Sequence, residues 1–173
     1  MRDGAKAVGI LLTGLFIAGI GYPFLHEAGH TAAALIAGAE VLDFQLFPLP
    51  SILCNIGAVR TAGRVMIGTG GILLPFLVSV LSALVWKENN FWVWYANIVL
   101  KGINLLATGM GLASMLGYRI GLPVDIREDF MRIVEIWPSG LPVLSAGLFL
   151  MLVLLAVGLW REHPVKKCLD FFA

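Results

Sequence analysis

Four apolar runs divide the chain, from Ala7 to Gly38, Val65 to Trp86, Phe91 to Leu116 and Leu141 to Trp160. Each reaches the roughly 20 residues that an α-helix needs to cross about 30 Å of hydrocarbon. Glu27 is the only charged residue of the first run and Lys101 of the third, while the second and fourth have none. The pattern predicts four transmembrane helices, over about 7–38, 65–86, 91–116 and 141–160. Pro23 stands in the middle of the first run, where it removes a helical hydrogen bond, so one kinked helix is expected there. Split at Pro23, the run would leave two pieces of about 15 residues, each too short to span. Arg2 and Lys6 precede it as in a signal peptide, but the hydrophobicity continues past any small-residue cleavage point near Ala18, so an uncleaved helix is expected.

Between the first two helices the period changes from helical to two. Leu42, Phe44 and Leu46 alternate with Asp43 and Gln45, Pro48 to Ser51 supply a turn, and Ile52, Cys54, Ile56 and Ala58 alternate again. This predicts a β-hairpin over about 41–59, too apolar for a solvated loop and therefore associated with the membrane. Gly117 to Gly140 holds Arg119, Asp125, Arg127, Glu128, Asp129, Arg132 and Glu135 and cannot cross lipid. Asp125 with Glu128 three residues on resembles a capping box, which predicts an interfacial helix over about 125–137 with Phe130, Ile133, Val134 and Trp137 on its apolar side. With no repeat or linker in view, the expected architecture is a single-domain, all-α polytopic membrane protein with one short hairpin.

Composition narrows the function classes. The chain is 59% hydrophobic and 13% charged, with a mean hydropathy of +0.90, which excludes a soluble globular domain. A formal charge of +1 offers no basic surface for nucleic acid. Cys54 and Cys168 lie far apart and in no metal-binding spacing, so any metal must be held by other ligands.

Inside the first helix lies His26-Glu27-Ala28-Gly29-His30, the pattern H-E-x-x-H. A spacing of four puts both imidazoles on one helical face, one turn apart, where a single Zn²⁺ can take a nitrogen from each. Zinc there lowers the pKa of a water towards about 7, and Glu27 beside it can take the proton, which is the chemistry of metal-assisted peptide hydrolysis. An ionisable side chain at mid-bilayer costs about 2.5 to 3.5 kcal/mol, so Glu27 between two histidines in an otherwise uncharged run needs a compensating partner, and a metal supplies one.

With this motif the chain resembles the site-2 protease family of intramembrane zinc metalloproteases, in particular its small members without accessory domains. His26, Glu27 and His30 match the motif of the family's first core helix, the segment from Glu40 to Arg60 resembles the strand-like element after it, and Gly68, Gly70, Gly71 and Pro75 resemble the glycine-rich stretch of the next helix. Those glycines also suit ordinary close helix packing. The resemblance implies an aspartate as third ligand, following a stretch that Asn104-Leu105-Leu106 resembles. Asp125, in Leu122-Pro123-Val124-Asp125, and Asp129 are the candidates, and glycine follows neither. The apolar, proline-led surroundings of Asp125 favour it over Asp129, the other of the two serving as helix cap or first-turn acid. The resemblance also implies that Asn104 donates a hydrogen bond to the oxyanion or the substrate backbone.

Asn97, Lys101, Asn104 and Thr108 draw one polar stripe down the third helix, which must face protein or water, with Lys101 expected to snorkel to the surface. His163 is expected on the surface, and Trp86, Trp92, Trp94, Trp137 and Trp160, at the ends of apolar runs, mark membrane boundaries. Together these features point to a zinc endopeptidase, one Zn²⁺ per chain, embedded in the cell membrane and cutting membrane-protein substrates. The alternatives are a membrane protein that binds or transports zinc without proteolysis, and an inactive protease relative. A transporter needs polar residues on several helices, whereas the second and fourth here carry no charge.

Overall fold

A computed structural model describes residues 3–48, 50–85, 90–124 and 129–173. The chain is mostly helical: α1 (Asp3–Phe16), a π turn (Ile17–Gly21), α2 (Tyr22–Ile36), β1 (Glu40–Gln45), β2 (Ser51–Asn55), α3 (Thr61–Val85), α4 (Phe91–Arg119), α5 (Asp129–Ile136), α6 (Leu141–Arg161) and α7 (Pro164–Phe172). Four helical stretches are long and apolar enough to cross a membrane: Asp3–Ile36, Thr61–Ser82, Phe91–Arg119 and Pro138–Phe172. Their outward faces are apolar, with Leu11, Leu15, Phe149 and Leu150 all exposed.

The first run is one continuous helical stretch from Asp3 to Ile36. Just before Pro23, where a kink was expected, the helix widens into a π turn. The ring of Pro23 would strike the carbonyl four residues back, and the π turn immediately before it opens that spacing, Tyr22 N–H donating to Ile17 O. The helix ends on Gly38, whose φ of 76° favours glycine. Ala39 N–H then donates to Ala34 O (2.9 Å) and Gly38 N–H to Leu35 O (3.2 Å), the bond pair of a Schellman cap. That cap turns the chain into β1.

The two strands pair antiparallel, with Val41 opposite Cys54 and Phe44 opposite Ile52. A register shift between Val41 and Asp43 is a β-bulge at Leu42. It interrupts the strict alternation read from the sequence: Leu42, Phe44 and Leu46 are exposed, and the hairpin instead seats Val41, Ile52, Cys54 and Ile56 against Ala34, Ala39 and Val59.

The long helices run further than the apolar runs suggested. α3 begins four residues earlier, at Thr61, and α4 continues to Arg119. Gly117 does not stop α4. The stop comes at Gly121 (φ 79°), where Leu122 N–H reaches back to Gly117 O at 2.9 Å.

Two elements differ from the sequence reading. The helix expected at the interface over 125–137 is described from Asp129 onward, residues 125–128 lying outside the described residues; its apolar side is packed into the core of the bundle, while Arg132, Glu135 and Ile136 are exposed. Phe130, Met131, Ile133 and Val134 are all buried, three of them in the core with Ile72 and Met115 of the long helices and Leu148 of α6. Glycines make room for α5: a Cβ on Gly68 would stand 2.6 Å from Ile133 Cγ1, and one on Gly111 2.5 Å from Phe130 Cδ2. The second difference is α7, which the sequence reading did not anticipate because Lys166, Lys167 and Asp170 interrupt its apolar positions. Lys6 Nζ donates to Phe171 O (2.8 Å), and the Phe171 ring stacks on Phe91 with centroids 3.7 Å apart. The end of the chain is thus fastened to the starts of α1 and α4.

Gly111→Val should therefore destabilise the detergent-solubilised protein by about 1 to 3 kcal/mol through overpacking against Phe130, read as a fall in Tm. Gly158→Ala, where nothing lies within 4 Å, should leave Tm nearly unchanged.

Candidate metal centre

His26 and His30 sit one turn apart on α2, and the side they share faces α3. α3 can come this close because the two helices meet at glycines. A Cβ on Gly70 would stand 2.5 Å from Gly29 O and 3.0 Å from Ala33 Cβ, and one on Gly29 would collide with Gly70 O. One residue further, Gly71 leaves the space that the imidazoles fill: a Cβ there would meet His30 Nε2 and would lie 2.7 Å from Cε1 and Nε2 of His26. The same approach brings Ile67 O to 2.6 Å from His30 Nδ1. Since a carbonyl only accepts, the proton of His30 belongs on Nδ1, and the lone pair of Nε2 points to the centre.

Asp129 completes the group from the first turn of α5. Its Oδ2 lies 3.1 Å from His26 Nε2 and 3.1 Å from His30 Nε2, and the two Nε2 atoms are 3.1 Å apart. Burial alone would raise the Asp129 carboxyl, but where the imidazoles are protonated at Nε2 as well, their hydrogen bonds and charge outweigh burial and hold the group well below the ordinary carboxylate range. Two imidazole nitrogens and one carboxylate oxygen form a nearly equilateral triangle. A tetrahedral ion with bonds of about 2.0 to 2.1 Å has ligand atoms roughly 3.3 Å apart, so the triangle fits three ligands of such a site. The donor types and the bonded Nδ1 of His30 fit equally.

On the open side lies a cavity of about 460 Å³, walled by Glu27, His30 and Asp129, by β2 from Ile52 to Cys54, and by Arg64, Ile67 and Gly68 of α3 and Arg132, Ile133 and Ile136 of α5. Glu27, half-buried, thus borders the same space as the two ligands. The arrangement has the parts that hydrolysis needs: a cation site, a carboxylate beside it and room for an extended chain.

Of the residues singled out from sequence, the structure brings together His26, His30 and Asp129, with Glu27 on the adjoining wall. Asp125, the favoured third ligand, lies outside the described residues. Asn104, expected to serve the oxyanion, does not line the cavity. It is wholly buried on α4, with neither amide atom bonded among the described residues, and so is Thr108 Oγ1. The polar stripe of α4 does face protein. Lys101, however, does not snorkel: it is 4% exposed and paired with Glu162 at the end of α6. Packing of α4 on α6 buries the ammonium, and a buried charge requires a partner. His163 is exposed, as expected, whereas Trp94 is buried beneath Lys167, whose Nζ lies 5.2 Å from its ring centroid. Trp86 lies outside the described residues. Sequence reasoning gave no role to Arg64, Arg132 or the Ile67 carbonyl. Gly70-Gly71 was the one visible sign of close backbone approach, and a carbonyl's use cannot be read from its residue type.

Compared with models of protein families, with curated proteins and with solved structures, the chain matches none.

Elemental analysis of the purified protein should find about one zinc per chain, lost in His26→Ala, His30→Ala and Asp129→Ala, because each removes one of the three candidate ligand atoms that meet among the described residues. Gly71→Val should also lose the metal while every ligand is still present, because its side chain occupies the space of the imidazoles.

Proposed function

We propose that this protein is a multi-pass integral membrane zinc endopeptidase of the site-2 protease kind, working in the cell membrane and cutting membrane-protein substrates in or near their membrane-spanning segments. The observation that carries the reading is the meeting of His26 Nε2, His30 Nε2 and Asp129 Oδ2 within 3.1 Å of one another beside a cavity bordered by Glu27. Four helices long and apolar enough to span, with apolar outward faces, support the membrane setting.

His26, His30 and Asp129 would hold one zinc ion. When bound, zinc polarises a peptide carbonyl and acidifies water, so that a strong nucleophile is available at neutral pH. The remaining tasks fall to the chain itself. Glu27 takes the proton of the attacking water and returns it to the leaving amine. Ile67 O keeps the proton of His30 on Nδ1, so that Nε2 stays a ligand. β2 lines the cavity, and an extended segment added along it would have its amides paired by backbone rather than by water. A transmembrane helix hides its amides in its own hydrogen bonds, so unwinding onto a strand is what exposes the bond to be cut.

A second reading, zinc handling without hydrolysis, draws on the buried polar atoms of Asn97, Asn104 and Thr108 along α4 that have no hydrogen-bond partner among the described residues, which are groups a polar passage would use.

Glu27→Gln separates the two readings. It should retain zinc and lower peptide cleavage by at least about a hundredfold, the ordinary contribution of a general base. A chelator should abolish cleavage by wild type, and added zinc should restore it. Undiminished cleavage by Glu27→Gln, or zinc flux into vesicles without any cleavage, would overturn the protease reading.

A further inference from the structure

The cavity beside the metal centre holds more positive charge than hydrolysis asks for. Among the described residues its walls carry two acids, Glu27 and Asp129, and two guanidinium groups, Arg64 and Arg132. Those four balance, so a divalent cation on His26, His30 and Asp129 leaves the cavity with two positive charges in excess. Much of the rest of the wall is apolar, contributed by β2, α3 and α5. Low-dielectric walls focus such a field rather than screen it, and the occupant they favour is an anion.

The two arginines differ in freedom. Arg64 is committed to the fold: its Nε donates to Val59 O (3.0 Å) and its Nη2 to Gly57 O (3.4 Å), which fastens the chain leaving the hairpin. Arg132 has no ion pair or hydrogen bond among the described residues and is exposed. It stands three residues after Asp129, on the same face of α5 and one turn from the metal ligand. α5 cannot rotate to remove it, because Phe130, Met131, Ile133 and Val134 are buried around the rest of the helix. The fold therefore holds at the mouth of the centre a guanidinium with no partner among the described residues, and a guanidinium fork matches a carboxylate with two parallel hydrogen bonds. The cavity volume, about 460 Å³, lies within the usual range of small-ligand sites.

We infer that the cavity selects extended segments that carry an Asp or Glu side chain within a residue or two of the bond to be cut, and that Arg132 is the residue that reads this carboxylate. The inference rests on the protease reading and names the substrate class of that site. A basic residue at the same place meets the excess charge and is excluded.

The test uses the full chain in detergent micelles and a panel of peptides, each with one apolar membrane-spanning segment. Within each, the residues flanking the cut are replaced in turn by Asp, Asn or Lys. Cleavage is followed with wild type, and binding with zinc-loaded Glu27→Gln by fluorescence anisotropy. At one flanking position the Asp peptide should bind at least about tenfold more tightly than the Asn peptide, the usual size of a charged hydrogen bond, and the Lys peptide most weakly. Adding Arg132→Gln should bring the Asp-to-Asn ratio close to one with zinc content unchanged, and Arg132→Lys, which keeps the charge without the fork, should recover only part of it. Equal affinities for the three peptides, or a preference that survives Arg132→Gln, would overturn the selection, and cleavage of the Asn peptide by wild type would then leave the protease reading standing. Acid-selective binding through Arg132 with no cleavage of any peptide would uphold the anion-selecting cavity and overturn the protease reading. No binding and no cleavage would overturn both.

Discussion

The contact between Gly29 on α2 and Gly70 on α3 governs everything else at the centre. Two helices with ordinary side chains at the crossing would stand 8 to 10 Å apart, roughly, and no backbone carbonyl of one could reach an imidazole of the other. Without Cβ atoms the backbones meet, and three consequences follow from that single approach. Ile67 O comes within 2.6 Å of His30 Nδ1, Gly71 opens a space for both imidazole rings, and the shared histidine face is held against α3 rather than turned to the exterior. Small residues at a helix crossing are common in apolar bundles, where tight packing replaces the hydrophobic effect as the cohesive force. Here the same packing also positions polar atoms.

α5 depends on that arrangement and completes it. It is short, and isolated helices of this length are unstable in water, so its helical form comes from the burial of Phe130, Met131, Ile133 and Val134. The glycines at 68 and 111 admit Ile133 and Phe130 from opposite sides. Asp129 is thereby brought within 3.1 Å of both Nε2 atoms, and Arg132 stands on the cavity wall with no partner among the described residues. The same helix thus supplies a candidate ligand, a core element and a charge. Away from the centre, the buried pair of Lys101 and Glu162 links α4 to the end of α6, and α7 returns from there to fasten Phe171 to the start of the bundle.

Local order was legible in the sequence to the extent that it depends on periodicity. The apolar runs marked the long helices, the change to period two marked the hairpin, and the spacing of His26 and His30 put both on one face of one helix, because 3.6 residues make a turn. Boundaries were less legible. Gly117 resembles a stop and is passed over, whereas Gly121 closes α4, since a glycine ends a helix only where the chain uses its positive φ. The β-bulge at Leu42 and the π turn before Pro23 alter hydrogen-bond spacing by single residues, and no residue type announces them.

What the sequence by itself determined is therefore which groups share a face or a helix: two histidines on one face of one helix with Glu27 beside them, a polar stripe on another, apolar outer faces on the long helices. What only the tertiary structure decided is which distant groups meet. Asp129 reaches His30 across 99 residues of chain, and Lys101 reaches Glu162 across 61. Neither pairing follows from local spacing, because it depends on how closely helices approach and on where a buried helix can be wedged between them. Gly29, Gly70 and Gly71 set the first, and Gly68 and Gly111 the second. The reason is physical: periodicity is a property of the backbone alone, whereas a metal centre and an ion pair require atoms from separate elements within about 3 Å, a distance that only packing can fix.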